Sequence, residues 1–172
     1  MRVFVTGATG FIGTALIPEL LGAGHAVLGL TRSDAGAKAL AAAGVDIHHG
    51  SIEDLDSLKS GVSASDAVIH LAFNHDFSKW AENSQADRRA IEAMGAVLVG
   101  TDKPFIVTSG TAAAHTPGRL TTEEDAPNSP IPRVASEHAA MAGSSGPRAV
   151  NTIGSRPASI AFNASCVARA SA

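Results

Sequence analysis

Val3-Phe4-Val5-Thr6-Gly7-Ala8-Thr9-Gly10-Phe11-Ile12-Gly13 is the stretch on which the fold turns. A short apolar run meets three glycines at three-residue spacing. An apolar set at Phe11, Ile12, Ala15, Leu16, Leu20 and Leu21 then follows at helical spacing. The order strand, turn, helix gives each glycine a task. Gly7 permits a tight turn, Gly10 lets the backbone approach a pyrophosphate, and Gly13 lets helix and strand pack closely. The free amides and dipole at the helix start attract a diphosphate. Thr6, Thr9, Phe11 and Ile12 belong to the same candidate cradle.

Outward from this turn, short apolar runs alternate with helical patterns. Ala26 to Leu30, Val45 to Ile47, Ala67 to Leu71 and Phe105 to Thr108 read as strands. Ala35 to Ala43, a stretch near Glu82 to Val99, and Arg133 to Met141 read as helices. Continuous apolar strands of this kind are buried on both faces. The expected architecture is therefore α/β: a doubly wound parallel sheet with helices on both faces and right-handed crossovers. Pro18 falls inside the first helix and is expected to kink or weaken it. The segment from His115 to Pro132 is proline-rich and reads as loop.

The chain has 172 residues, 45% hydrophobic, with a formal net charge of -3. That length suits one domain. No basic field exists to favour nucleic acid. A lone cysteine, Cys166, excludes an internal disulfide and a Cys-rich zinc site. His75, His115 and His138 lack metal-ligand spacing, so no metal is expected. With no apolar run near the roughly 18 residues of a membrane span and no signal-peptide pattern, the expectation is a cytoplasmic protein without a membrane partner.

The motif Thr-Gly-x-x-Gly-x-x-Gly at residues 6–13 resembles the short-chain dehydrogenase/reductase superfamily. Its form here is similar to the extended and atypical branches, the NAD(P)-dependent epimerase/dehydratase relatives. The resemblance covers about residues 1–150 and implies a Rossmann-type NAD(P)-binding domain, with oxidoreductase or epimerase chemistry on a small carbonyl or hydroxyl substrate. NAD-binding relatives place an acid at the end of the second strand for the ribose 2′-hydroxyl. Here that strand ends Leu30-Thr31-Arg32-Ser33. Arg32 suits a 2′-phosphate, with hydroxyl contacts from Thr31 or Ser33, so NADP is expected over NAD. Gly50-Ser51-Ile52-Glu53-Asp54 stands where relatives often carry Gly-Asp-Leu beside the adenine, with Ser51 replacing the acid. His70-Leu71-Ala72-Phe73 resembles the fourth-strand end that lines the coenzyme, and His70 reads equally well as an imidazole satisfied inside the fold.

The family's chemistry uses Tyr-x-x-x-Lys and a Ser or Thr, yet this chain contains no Tyr. Arg133 stands at the tyrosine position and Glu137 at the lysine position, at i,i+4 on one helix. They read either as a surface ion pair or as a rearranged site in which Arg133 orients an anionic group or the coenzyme ribose. Ser109 and Thr111 are the candidate active hydroxyls after the fifth strand. Phe77 and Trp80 read as core packing or as the cap of a pocket. A non-catalytic NADP-binding module is the alternative function.

Residues 151–172 read as an irregular tail. Twelve of those 22 are Ala, Ser or Arg, and no strand or helix period runs through them. The expectation is a truncated or frame-shifted family member without its substrate domain. An incomplete sheet of this kind would expose an edge, so a homo-oligomer is expected.

Overall fold

The computed structural model describes residues 1–110, 113–115, 117–120, 122, 125, 127–142 and 148–152. Among these, six strands are separated by five α-helices. In chain order they are β1 (Arg2–Thr6), α1 (Phe11–Gly22), β2 (Ala26–Thr31), α2 (Asp34–Ala42), β3 (Asp46–His49), α3 (Leu55–Ser63), β4 (Ala67–His70), α4 (Trp80–Leu98), β5 (Phe105–Ser109), α5 (Val134–Ala142) and β6 (Arg148–Thr152). A short 3-10 helix over Phe77–Lys79 leads into α4. The strands form a sheet in the order β3-β2-β1-β4-β5-β6, and every neighbouring pair is parallel. This is the doubly wound architecture expected from the sequence. β6 pairs with β5 through Thr152, so the sheet continues two residues past position 150. Residues 153–172 lie outside the described residues.

Strand alternation divides β1 between two cores. Val3 and Val5 face Leu16, Ile17 and Leu20 of α1 and Leu40 of α2. Phe4 points the other way, against Leu58 and Val62 of α3 and Ile91 and Met94 of α4. Both faces of the central strand are thus dry, and Val3, Phe4 and Val5 are each wholly buried. That is why these strands carry unbroken apolar runs instead of alternating ones.

Sequence signals account for the helix starts. Ser33 caps α2 by accepting the Gly36 amide, and Asp54 caps α3 by accepting the Ser57 amide. The α3 helix escaped the sequence reading, although Asp54 followed by Leu55, Leu58 and Val62 carries its signature. Pro18 does not interrupt α1, which runs through it as one helix; the proline ring lies on the exposed side. Among the described residues, no helix is long and apolar enough to cross a membrane.

Candidate functional site

The chain leaves β1 towards β2 and β3 on one side, then crosses to β4 and β5 on the other. Open α/β sheets bind ligands at such a reversal, beyond the carboxyl ends of the strands. A cleft of about 760 Å³ opens there. The turn contributes Gly7, Thr9, Gly10, Phe11, Ile12 and Gly13; the end of β2 contributes Leu30, Thr31, Arg32 and Ser33. Gly50, Ser51, Ile52 and Glu53 follow from beyond β3, and Leu71, Ala72, Phe73, Asn74 and His75 from beyond β4. Leu30, Asn74 and His75 were not assigned to the coenzyme site from the sequence. Each lies within two residues of one that was, and only the closing of the turns reveals them.

The glycines of the turn are fixed by contact as well as by conformation. Gly7 has φ 67°, and a Cβ there would sit 2.8 Å from the Ala72 amide nitrogen. At Gly13 a Cβ would overlap the Gly7 carbonyl oxygen and come within 2.6 Å of the Ala8 carbonyl oxygen. The Gly10 amide donates to the Gly7 carbonyl at 2.9 Å, closing the turn. Gly10 also caps α1 without any side-chain hydrogen bond, and no acidic residue lies in that helix's first turn. The first amides of α1 therefore face the cleft with no carboxylate of their own helix turn competing for them, which suits a diphosphate.

At the β2 end Arg32 is exposed on the cleft wall. Thr31 is buried, and its Oγ1 accepts the Ser33 amide at 3.4 Å, while Ser33 Oγ is occupied in capping α2. Ser51 Oγ accepts the Glu53 and Asp54 amides at 3.2 and 3.3 Å, shaping the turn beside the cleft.

Thr6 does not line the cleft. It is fully buried, and its Oγ1 accepts the amides of Leu71 at 3.2 Å and Ala72 at 3.3 Å. Those two bonds leave its own proton for His70 Nδ1, 2.6 Å away. The imidazole proton then resides on Nε2 and is donated to Asp87 Oδ1 at 3.2 Å. His70 is thus the internally satisfied imidazole and not a cleft residue.

Asp87 is the group that sequence reading missed. It is wholly buried on α4 and forms an ion pair of 2.7 Å with Arg133 Nη1. Arg133 Nη2 donates to the Thr108 carbonyl at 2.7 Å, and the guanidinium lies 4.6 Å from the centre of the Phe73 ring. The surface ion pair considered for Arg133 is therefore corrected: its head group is buried between α4 and β5. Glu137 falls on α5, with its side chain outside the described residues. Ser109 ends β5, half-buried, its hydroxyl donating to the Gly110 carbonyl at 3.3 Å, and it does not line the cleft. Thr111 lies outside the described residues.

Burial alone would raise the Asp87 carboxyl, but the hydrogen bond from His70, then the charge of Arg133 and the hydrogen bond from Ser136, outweigh it and hold the group below the usual carboxylate range. A carboxylate depressed in the folded state contributes stability above its unfolded pKa and loses it as pH falls through the folded value. The melting temperature is expected to fall as pH drops below about 4, tracked by circular dichroism. A flat profile down to about pH 2 would contradict the pairing.

The profile of the NAD dependent epimerase/dehydratase family matches residues 3–141. An uncharacterized protein of Schizosaccharomyces pombe is 53% identical over 134 residues, covering 77% of this chain and 45% of that protein. The UDP-glucose 4-epimerase of Mycolicibacterium smegmatis is 31% identical over 149 residues, covering 76% of this chain and 45% of the enzyme. This chain thus spans about half the length of these curated relatives. Among solved structures, a mutant UDP-glucuronic acid 4-epimerase of Bacillus cereus, in complex with UDP-4-deoxy-4-fluoro-glucuronic acid and NAD, superposes with a TM-score of 0.67 at 20% identity. That alignment covers 88% of this chain and 56% of the epimerase, and it establishes the shared fold. By the extent of the family match, this chain belongs to the NAD dependent epimerase/dehydratase family.

Proposed function

We propose that this chain supplies the coenzyme-binding part of an NAD(P)-dependent oxidoreductase or epimerase-like protein acting on a small carbonyl or hydroxyl compound, with NADP preferred over NAD. The observation that carries the reading is the cleft itself, lined by a helix start among three glycines that has no side-chain cap and by Arg32. The glycine turn and the α1 amides would hold the diphosphate. Arg32 would pair with a 2′-phosphate, and residues 50–53 would border the adenine. When bound, the coenzyme supplies hydride transfer. Ser109 and Thr111 are the hydroxyls proposed to polarise the substrate oxygen, beside Glu137 in the lysine position of the family pattern.

One observation favours a binding module without turnover. The chain has no Tyr, and Arg133, in the tyrosine's place, is committed to Asp87 and Thr108. A guanidinium does not act as a general acid near neutrality. An NADPH-oxidation screen across aldehydes and ketones separates the two readings, because binding without turnover would favour the module.

Arg32→Asp tests the coenzyme. The variant is expected to lower NADPH affinity about tenfold or more while sparing or improving NADH, because a charge-assisted hydrogen bond becomes a repulsion. Calorimetric titration with both nucleotides reads the outcome. An NADPH preference that survives the change would remove the assignment.

A further inference from the structure

We propose that Arg133 is a positioning residue for the coenzyme: pinned between Asp87 and the Thr108 carbonyl, its guanidinium holds the Phe73 ring as the wall of the cleft at the nicotinamide end. This inference rests on the coenzyme reading given above. If the glycine turn takes the diphosphate and Arg32 takes the adenosine ribose, the rim beyond β4 is the end left for the nicotinamide.

That rim needs help to hold its place. Residues 71–76 adopt no regular secondary structure after β4 ends at His70, and the last backbone bond to β1 is that of the Leu71 amide to the Thr6 carbonyl at 3.3 Å. Two side chains hold residues 71–73, and the Asn83 side-chain amide donates to the Asp76 carbonyl at 2.8 Å farther along. Thr6 Oγ1 holds the Leu71 and Ala72 amides, and Arg133 holds Phe73. Both restraints meet in one buried hub, because Thr6 reaches Asp87 through His70 and Arg133 reaches it directly. The Phe73 ring is boxed on its other sides by Trp80 at 5.5 Å and His75 at 5.3 Å between ring centres. A cation over an aromatic face is attracted most strongly when desolvated, and this guanidinium is buried. Arg133 does not itself line the cleft, so it acts on the ligand through the ring.

The test compares NADP with 2′-phospho-ADP-ribose, which keeps the adenosine, the diphosphate and both riboses but lacks the nicotinamide. Arg133→Lys retains a charge for Asp87 but lacks the planar fork that serves Asp87, Thr108 and Phe73 together. Phe73→Leu removes the ring and leaves the buried charges alone. Both variants are expected to lose about tenfold in NADP affinity by calorimetry while 2′-phospho-ADP-ribose changes less than about twofold. A merely structural role would weaken both ligands alike, and that result, or an unchanged ratio, overturns the proposal. Should the lysine variant fail to fold, Phe73→Leu reads the same ratio and decides alone. If the unmodified chain binds neither ligand, the coenzyme reading itself falls and takes this inference with it.

Discussion

Gly13→Ala is expected to abolish NADPH binding and to destabilise the protein by about 3 kcal/mol or more, beyond ordinary overpacking because the collision is with backbone. An added methyl would overlap the Gly7 carbonyl oxygen and crowd that of Ala8. Neither oxygen is the free end of a flexible side chain. Relief would require α1 to move away from the turn, which would carry its first amides away from the diphosphate. The comparison that isolates this effect is Gly22→Ala, in the last turn of the same helix, where nothing lies within 4 Å of the new atom. That change is expected to leave stability unchanged or raised by about 1 kcal/mol. Equal urea midpoints for the two variants would show that the turn does not depend on the close approach.

Asp87→Ala is expected to cost about 3–5 kcal/mol, a large share of the roughly 5–15 kcal/mol that holds a typical domain together. The loss is not that of one ion pair. It strands the buried Arg133 guanidinium and leaves His70 Nε2 without its acceptor. The double variant Asp87→Ala with Arg133→Met is expected to recover part of the deficit, since no unpaired charge then remains in the interior. Urea denaturation of both variants measures the difference. A single variant as stable as the parent would mean that water already reaches the pair.

The glycine turn was legible because its requirements are local. Gly7 needs a positive φ, and Gly10 and Gly13 need backbone within reach, all inside eight residues. The strands were legible for a related reason: dry sheet faces leave no polar positions in Val3-Phe4-Val5 or Ala67-Val68-Ile69. The clamp behind the cleft was not legible, since its bonds join residues far apart in the chain. Thr6 meets His70 across 64 residues and His70 meets Asp87 across 17. Arg133 was read against Glu137, four residues away, while its partner Asp87 sits on a different helix. A signal for Asp87 was nonetheless present. Asn83, Ser84 and Asp87 continue the buried stripe of Ala90, Ile91 and Met94 at helical spacing, so the apolar face of α4 runs on into polar residues. Polar groups on a buried stripe announce a buried network, although not its members. The roles of Ser109, Thr111 and Glu137 depend on substrate contacts, and no local pattern encodes those.

Trp80 is the chain's single tryptophan, and it packs against Phe73 on the cleft rim and stacks on Phe77. The molecule therefore carries one intrinsic fluorophore, placed beside the site in question. Its emission overlaps the absorption band of a reduced nicotinamide, so occupancy of the cleft can be followed by resonance energy transfer without any attached dye. Every variant that spares the indole can be read with the same optical gauge.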